Sequence, residues 1–102
     1  MASDSIAEYR AYLTGERHAS PNTVSSYLRD VAQFAEYLAE HENCEVHLAT
    51  SQMIQEYMGW MQGQGKSAAS ITRFLASVKS FYQFLLSTGT IEVNPAKGIT
   101  AQ

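Results

Sequence analysis

Apolar residues recur at three- and four-residue spacing along two long stretches of this chain, and that spacing predicts amphipathic helices. The first stretch has an ordinary start signal, Ser20-Pro21, in which an N-cap hydroxyl precedes a proline whose missing N–H costs nothing there. We expect this helix to run to about Glu40. Its buried stripe would comprise Val24, Leu28, Val31, Ala35 and Leu38, with Tyr27 and Phe34 alongside.

The second stretch is predicted to open at Ser67 and to stop at Gly89, because glycine readily adopts the left-handed conformation that ends many helices. Its outer face is polar, with short side chains near the start. Its buried stripe would comprise Ile71, Leu75, Val78, Tyr82 and Leu85, with Phe74, Phe81 and Phe84 widening the apolar surface.

Two shorter helices complete the predicted fold. No segment of usable length alternates apolar and polar residues, so we expect an all-α protein. Short connections favour a single compact bundle of four or five helices, packed antiparallel or orthogonally, with a polar and acidic connection over residues 41–50. The shorter helices are roughly Ser5–Thr14, capped by Ser3 or Asp4, and a helix capped by Thr50 or Ser51 that ends at Gly63 and Gly65.

The composition favours one domain in the cytoplasm. With 102 residues, of which 45% are hydrophobic, the chain can close a core of its own but has little room for a second domain. The single cysteine, Cys44, cannot form an internal disulfide. The sequence has neither the pattern of a signal peptide nor an apolar run of about 20 residues, so we expect neither secretion nor membrane insertion.

The charge is negative overall but unevenly placed. The net charge is −3, which argues against a polyanionic partner. Residues 30–65, however, hold six carboxylates and no Lys or Arg, whereas residues 66–102 hold four Lys or Arg and one Glu. The second half is therefore locally cationic, a distribution that ordinary surface variation also produces.

Polar and basic side chains share one face near the start of each long helix. Hydroxyls, amides, Arg and helix N-termini are the usual donors to phosphate oxygens, and Arg can also contact guanine with two hydrogen bonds. Two such helices could meet a nucleic-acid backbone, although a solvated face with capping residues explains the same pattern. The residues are Asn22 or Thr23, Ser26 and Arg29 on the first helix, and Lys66, Ser70, Arg73, Ser77 and Ser80 on the second.

Two other chemistries find little support. His41, Cys44 and His47 are evenly spaced in an acidic connection, but structural zinc sites usually need four ligands, and the chain has no further cysteine. The sequence has neither a catalytic-triad signature nor a glycine-rich phosphate loop. We therefore expect no metal, no cofactor and no active site in this chain.

A helical protein–protein interaction module without DNA binding, docking through the first or the third predicted helix, is the alternative function. Met53, Met58, Trp60 and Met61 would supply an adaptable apolar surface on the third predicted helix. This alternative depends on solvent exposure, because full burial of Trp60 and the neighbouring methionines would make them core residues.

Three segments, in this order, resemble the core-binding, SAM-like N-terminal domain of tyrosine recombinases and phage integrases of the Xer type. The likeness covers nearly the whole chain. It rests on Ser20-Pro21-Asn22-Thr23-x-x-x-Tyr27-x-x-Asp30, on Ser67-x-x-Ser70-Ile71-x-Arg73-x-Leu75-x-x-Val78-x-x-Phe81-Tyr82-x-Phe84-Leu85, and on Gly89-x-Ile91-x-x-Asn94-Pro95-Ala96.

The resemblance implies a function in site-specific DNA recombination and integration. In that family the helical domain packs on one side of the DNA, and a larger C-terminal domain with the catalytic arginines and the tyrosine nucleophile closes on the other. The implied partners are double-stranded DNA at a recombination half-site, that catalytic domain, and neighbouring subunits of a synaptic tetramer. The implied DNA-facing residues are Thr23, Ser25, Ser26 and Arg29, together with Lys66, Ser67, Ser70, Arg73 and Ser77.

The same resemblance divides the chain into a domain and the start of a linker. Residues 1–93 would form the core-binding domain, and residues 94–102 would lead to the catalytic domain, since Pro95 forces Asn94 out of a helix. This chain would then hold DNA without cutting it. With about four phosphates neutralised, log K is expected to fall with log salt at a slope of about −3.6.

Overall fold

Four α-helices make up the structure, a computed structural model that describes residues 2–15 and 17–100, with side chains for residues 5–15 and 17–100. Those ranges contain no strand, which confirms the all-α prediction. None of the described helices is both long enough and apolar enough to span a lipid bilayer. The helices are α1 (Ala2–Gly15), α2 (Pro21–Tyr37), α3 (Ser51–Gly63) and α4 (Ala68–Ser87).

Three predicted helix starts are confirmed by capping hydrogen bonds, in which a side-chain hydroxyl accepts from a backbone N–H three residues later. Each cap satisfies one of the N–H groups that a helix N-terminus leaves without a partner. By contrast, α1 begins at Ala2, earlier than predicted. The caps are Ser20 with Thr23 (3.2 Å), Thr50 with Met53 (3.2 Å) and Ser67 with Ser70 (3.1 Å).

Glycines in the left-handed conformation follow α3 and α4. Gly65 has a φ of 84° and Gly89 a φ of 79°. After α4, the N–H of Thr90 donates to the carbonyl of Leu85 at 3.0 Å, and that of Gly89 donates to Leu86 at 3.1 Å. This pair of bonds is a Schellman motif, which satisfies the last carbonyls of the helix. The same arrangement follows α3.

The connection between α2 and α3 contains two short helical turns. A π-helical turn, Leu38–Glu42, continues α2, and a 3-10 turn, Val46–Leu48, follows it. The side chains of Val46 and Ala49 are buried in the core. The predicted polar connection therefore carries two apolar anchors that hold it against the helices.

The core lies around α4, which packs against α1, α2 and α3. The ring of Tyr9 on α1 meets Phe81 edge to face, with 5.2 Å between ring centroids. Phe34 on α2 meets Phe74 in the same way at 5.4 Å. Such aromatic pairs stabilise a core beyond their buried area. They leave only a narrow face of α4 open to solvent.

The C-terminal segment folds back onto the helices. The side chains of Ala96 and Ile99 are buried in the core. The side-chain amide of Asn94 donates to the carbonyl of Lys79 at 3.3 Å, and its carbonyl oxygen accepts from the N–H of Ala96 at 2.9 Å. The packed unit therefore extends as far as Ile99, beyond the boundary predicted after residue 93. The last two residues of the predicted linker, 101–102, lie outside the described residues.

Candidate nucleic-acid interface

Asp30 on α2 and Arg73 on α4 form an ion pair with two hydrogen bonds. Nε of Arg73 donates to Oδ2 of Asp30 at 2.9 Å, and Nη2 donates to Oδ1 at 2.8 Å. The Asp30 side chain is buried, with 4% of its surface exposed, whereas 43% of the Arg73 side chain is exposed. A buried carboxylate needs such a partner, because an isolated charge in a protein interior is costly. The hydrogen bond that Arg73 donates to Asp30, and then the negative charge of Asp30, raise the pKa of Arg73.

Ser77 is the third member of this network and is fully buried. Its Oγ lies 2.8 Å from Oδ2 of Asp30 and 2.9 Å from the carbonyl oxygen of Arg73, so its single hydrogen is shared between two acceptors. The hydroxyl of Tyr9 on α1 donates to the carbonyl of Ser77 at 3.4 Å. The prediction that Ser77 lies on an exposed, DNA-facing surface is wrong, because α1 and α2 cover this side of α4.

The helices α2 and α4 run in opposite directions along their contact. Asp30 bonds with Ser77, whereas Phe34, one turn later on α2, packs against Phe74, which is about one turn earlier on α4. The starts of the two helices therefore lie toward opposite ends of the contact. The predicted site residues do not form one patch at two adjacent helix starts, and any shared surface must follow the length of the contact.

Helical spacing assigns one group of predicted residues to the exposed edge of this contact. We call it the α2–α4 seam: Ser26 and Arg29 on α2, and Ser70 and Arg73 on α4. Arg29 is exposed, while Ser26 and Ser70 are half-buried. Ser26 lies about one turn before Asp30, and Ser70 about one turn before Arg73, so both follow the line of the ion pair.

Apart from the buried Ser77, the remaining predicted residues lie toward the ends of the seam, and two of them, Thr23 and Ser67, take part in helix caps. The hydroxyl of Ser20 donates to Oγ1 of Thr23 at 3.0 Å, and that of Ser67 donates to Oγ of Ser70 at 3.1 Å. Ser25 is exposed on α2. The hydroxyls of Thr23 and Ser70 can still donate outward, because each accepts in its cap and keeps its own hydrogen.

Lys66 lies beside the C-terminal half of α2 rather than near its start. It lines a groove of about 320 Å³ together with the acidic residues Glu36 and Glu40. Nearby carboxylates partly cancel its charge toward an anionic ligand. Its contribution to a phosphate-binding surface is therefore smaller than the sequence indicated.

The exposed face of α4 is rotated about the helix axis relative to the predicted face, by about the angle between two consecutive residues. Ser80, which was expected on the polar face, is half-buried. The exposed positions beside Arg73 in the first half of the helix carry short side chains, which let a partner approach the helix backbone closely. They are Ala69, Thr72 and Ala76.

Asp30 is a site residue that the predictions did not include, although it belongs to the first motif. It directly precedes Val31 and lies four residues before Phe34, and both of these are fully buried. Helical spacing therefore places its carboxylate at the edge of the buried stripe. A carboxylate in that position predicts a cationic or hydroxyl partner on a neighbouring helix, but it does not identify Arg73 as that partner.

Trp60 on α3 is partly exposed, as the alternative interaction module requires. Its exposed fraction is 39%, and its ring lies 5.2 Å from that of Tyr37 and 5.4 Å from that of Tyr57. Trp60 and Tyr37 line the same groove as Lys66. The methionines add less than predicted, since Met61 is buried and Met53 and Met58 are half-buried.

The residues weighed as metal ligands have other contacts. The ring of His41 stacks on Tyr37 with 4.6 Å between centroids, and the thiol of Cys44 donates to the carbonyl of Glu45 at 3.3 Å. Burial raises the pKa of Cys44, which disfavours the thiolate that binds metals. In the described ranges, no group of three or more His, Cys, Asp or Glu could hold a metal ion.

The fold and the three motifs define a class of small helical domains found in recombinases. Residues 6–89 match the family model described as phage integrase, N-terminal SAM-like domain. The chain belongs to this family, which confirms the resemblance noted in the sequence. No solved structure matches the chain.

Relatives with similar sequences are named tyrosine recombinases. A protein of Caldanaerobacter subterraneus subsp. tengcongensis, named "Putative tyrosine recombinase", is 39% identical over 103 residues, which cover 99% of this chain and 34% of the relative. The tyrosine recombinase XerD of Staphylococcus aureus (strain N315) is 37% identical over 81 residues, covering 79% of this chain and 28% of the relative. The chain therefore spans about a third of the length of these relatives or less.

Proposed function

We propose that this chain is the DNA-binding domain of a site-specific tyrosine recombinase and that it contacts double-stranded DNA through the α2–α4 seam. The observation that carries the proposal is the half-exposed guanidinium of Arg73, bonded to Asp30 on the neighbouring helix, where the exposed Arg29 directly precedes Asp30. Guanidinium groups are suited to phosphate and guanine because they offer paired donors in a plane. Membership of the recombinase domain family supports this assignment.

The shape of the seam fits a groove or a backbone. Hydroxyls of Ser26 and Ser70 flank the two arginines, and the neighbouring exposed residues of α4 are short. Hydroxyls commonly donate to phosphate oxygens and fix the register of a protein on the duplex. The seam could follow a strand for the length of the α2–α4 contact, with a helix cap at each end.

The charge available at this surface predicts weak binding by the isolated domain. Within residues 5–15 and 17–100, Arg73 with Asp30 is the only ion pair, so Arg29 has no carboxylate partner there, and Lys66 has only the nearby Glu36 and Glu40 in its groove. If two or three phosphates are neutralised, the slope of log K against log salt is about −1.8 to −2.7, shallower than the value of about −3.6 expected from the sequence. The affinity for a mixed-sequence duplex would fall in the nonspecific range of about 10⁻⁴–10⁻⁶ M.

The whole recombinase would close around the DNA from two sides. We place the catalytic arginines and the nucleophilic tyrosine in a C-terminal domain, because the relatives are about three times as long as this chain. That domain would cut and rejoin a half-site in the cytoplasm while this one holds it. Neighbouring subunits of a synaptic tetramer would be the other partners.

A salt-dependent titration tests the proposal. Fluorescence anisotropy of a labelled mixed-sequence duplex is measured against the domain at several salt concentrations. Arg29→Gln should weaken binding and make the salt slope shallower by about 0.9, the value of one phosphate contact. Arg10→Gln removes the same charge from an exposed position of α1 and should leave the slope unchanged. Absence of binding, a flat salt dependence, or equal effects of both variants would overturn the proposal.

An interaction surface around Trp60 is the second candidate function, favoured by its exposed indole beside the carboxylates of Glu36 and Glu40. A neighbouring copy of the domain is the simplest occupant. Because Trp60 is the only tryptophan, its emission reports burial directly. A blue shift with increasing protein concentration would support this contact, and constant emission from a monomer in sedimentation would contradict it.

A further inference from the structure

We propose that Asp30 is a positioning residue that orients the guanidinium of Arg73 toward DNA. The inference rests on the proposed function and adds a residue that carries the wrong charge for a DNA contact. Asp30 would touch no DNA itself, because its side chain is buried. It would act by fixing the plane and direction of the neighbouring arginine.

The hydrogen bonds leave one edge of the guanidinium free. Of the five N–H groups of arginine, Asp30 receives one from Nε and one from Nη2. The two N–H groups of Nη1 and the second one of Nη2 have no acceptor among the described residues. The free edge between Nη1 and Nη2 therefore presents two parallel donors, on a side chain that is 43% exposed.

Asp30 is itself held in place, so the arginine is fixed on a rigid support. Its Oδ2 accepts from Ser77 as well as from Arg73, and Ser77 is fully buried in α4. An arginine that is ordered before binding loses less conformational freedom when it meets a ligand. A surface ion pair between flexible side chains would not have this effect.

The ligand chemistry is a pair of acceptor atoms in one plane. In DNA, such a pair occurs on the O6 and N7 edge of guanine and on the two free oxygens of a phosphate. The short side chains of Ala69, Thr72 and Ala76 leave room for either to approach Arg73. Duplexes with 7-deazaguanine, which lacks the N7 acceptor, distinguish them: weaker binding identifies guanine, and unchanged binding identifies phosphate.

The decisive variant is Asp30→Asn, because a pure charge effect and a positioning effect predict opposite changes in DNA affinity. Removal of a negative charge beside DNA should strengthen binding if charge alone matters. If Asp30 orients Arg73, the variant should bind a mixed-sequence duplex about tenfold more weakly, a loss within the range of one two-point contact. Thermal unfolding must show that the variant is folded at the temperature of the titration.

Repeating the Asp30→Asn substitution in a domain that already carries Arg73→Lys separates a positioning role of Asp30 from a purely structural one. Arg73→Lys keeps the charge but lacks the paired donors. In that background, Asp30→Asn should no longer weaken binding, and it should strengthen it slightly. If Asp30→Asn, with Arg73 unchanged, binds DNA as tightly as the unsubstituted domain or more tightly, the positioning role of Asp30 is overturned. The proposed function would survive that result as long as the unsubstituted domain binds DNA in a salt-dependent way. Loss of binding by the unsubstituted domain would overturn the proposed function as well.

Discussion

The hydroxyl of Tyr82 on α4 donates to the carbonyl of Val46 at 2.6 Å, which ties the central helix to the connection between α2 and α3. Both side chains are buried. Burial raises the pKa of Tyr82, so the hydroxyl keeps its proton and stays a donor. This bond holds in place a segment whose polar sequence gives it few other anchors.

Tyr82→Phe should therefore lower the free energy of unfolding by about 1 kcal/mol, the usual net value of a buried hydrogen bond. The loss should not be larger, because the carbonyl of Val46 also accepts from the N–H of Ala49 at 3.3 Å. Urea denaturation measures the change. Tyr27→Phe is the matched control, since the half-buried Tyr27 hydroxyl has no hydrogen bond within the described residues. Equal effects of the two variants would contradict this account.

The C-terminal segment should contribute to stability, although its sequence resembles a linker. Ile99→Ala should cost about 2 kcal/mol, at the lower end for a buried aliphatic side chain because the site lies at the edge of the core. Val93→Ala removes a similar side chain that is 73% exposed, and it should change stability by less than about 0.5 kcal/mol. Similar losses for both, in parallel urea titrations, would mean that Ile99 is not part of the core.

The main elements of the fold could be predicted because local signals agreed with one another. The helix starts at Ser20, Thr50 and Ser67 follow from capping hydroxyls, and the stop at Gly89 follows from a left-handed turn. The burial of Ile99 could not be predicted, because it depends on a fold-back that is held by the Asn94 side chain and by the packing of Ala96 in the core. Contacts between distant segments leave little trace in local spacing.

The candidate site could be predicted only in part for a related reason. Helical spacing gives the direction of a side chain on its own helix, but not which neighbour covers it. Ser77 fits a polar stripe on α4, and it is buried because Asp30 and Tyr9 reach it from two other helices. Lys66 fits a basic start, and the antiparallel packing places it beside Glu36. The exposure of Arg29 could be predicted from its own helix alone, since its side chain is exposed.

The left-handed conformation of Gly89 should matter more than the space around it. A Cβ at Gly89 or at Gly63 would meet no atom within 4 Å, so neither substitution creates a clash. Gly89→Ala should nevertheless cost about 1 kcal/mol, because its φ of 79° is unfavourable for an L-residue. Gly63→Ala, in the last turn of α3, should instead stabilise the domain by up to about 1 kcal/mol. Changes of the same sign in urea denaturation would contradict this prediction.

The domain should lose stability in alkali, and Tyr9 should account for part of the loss. Burial raises the pKa of Tyr9 from 10.0 to about 12, so the folded state holds a proton that the unfolded state has already released. The stabilisation is fully present below pH 10 and is lost as the pH rises toward 12.

Between these values, Tyr9 alone contributes a decline of at most about 1.4 kcal/mol per pH unit. Tyr9→Phe should therefore make the fall in unfolding free energy above pH 10 shallower. At pH 7 it should change stability by less than about 1 kcal/mol, because the hydroxyl makes only a long hydrogen bond of 3.4 Å. Urea denaturation at pH 7, 10, 11 and 12 checks both statements. Parallel pH profiles for the two proteins would show that Tyr9 does not titrate with unfolding.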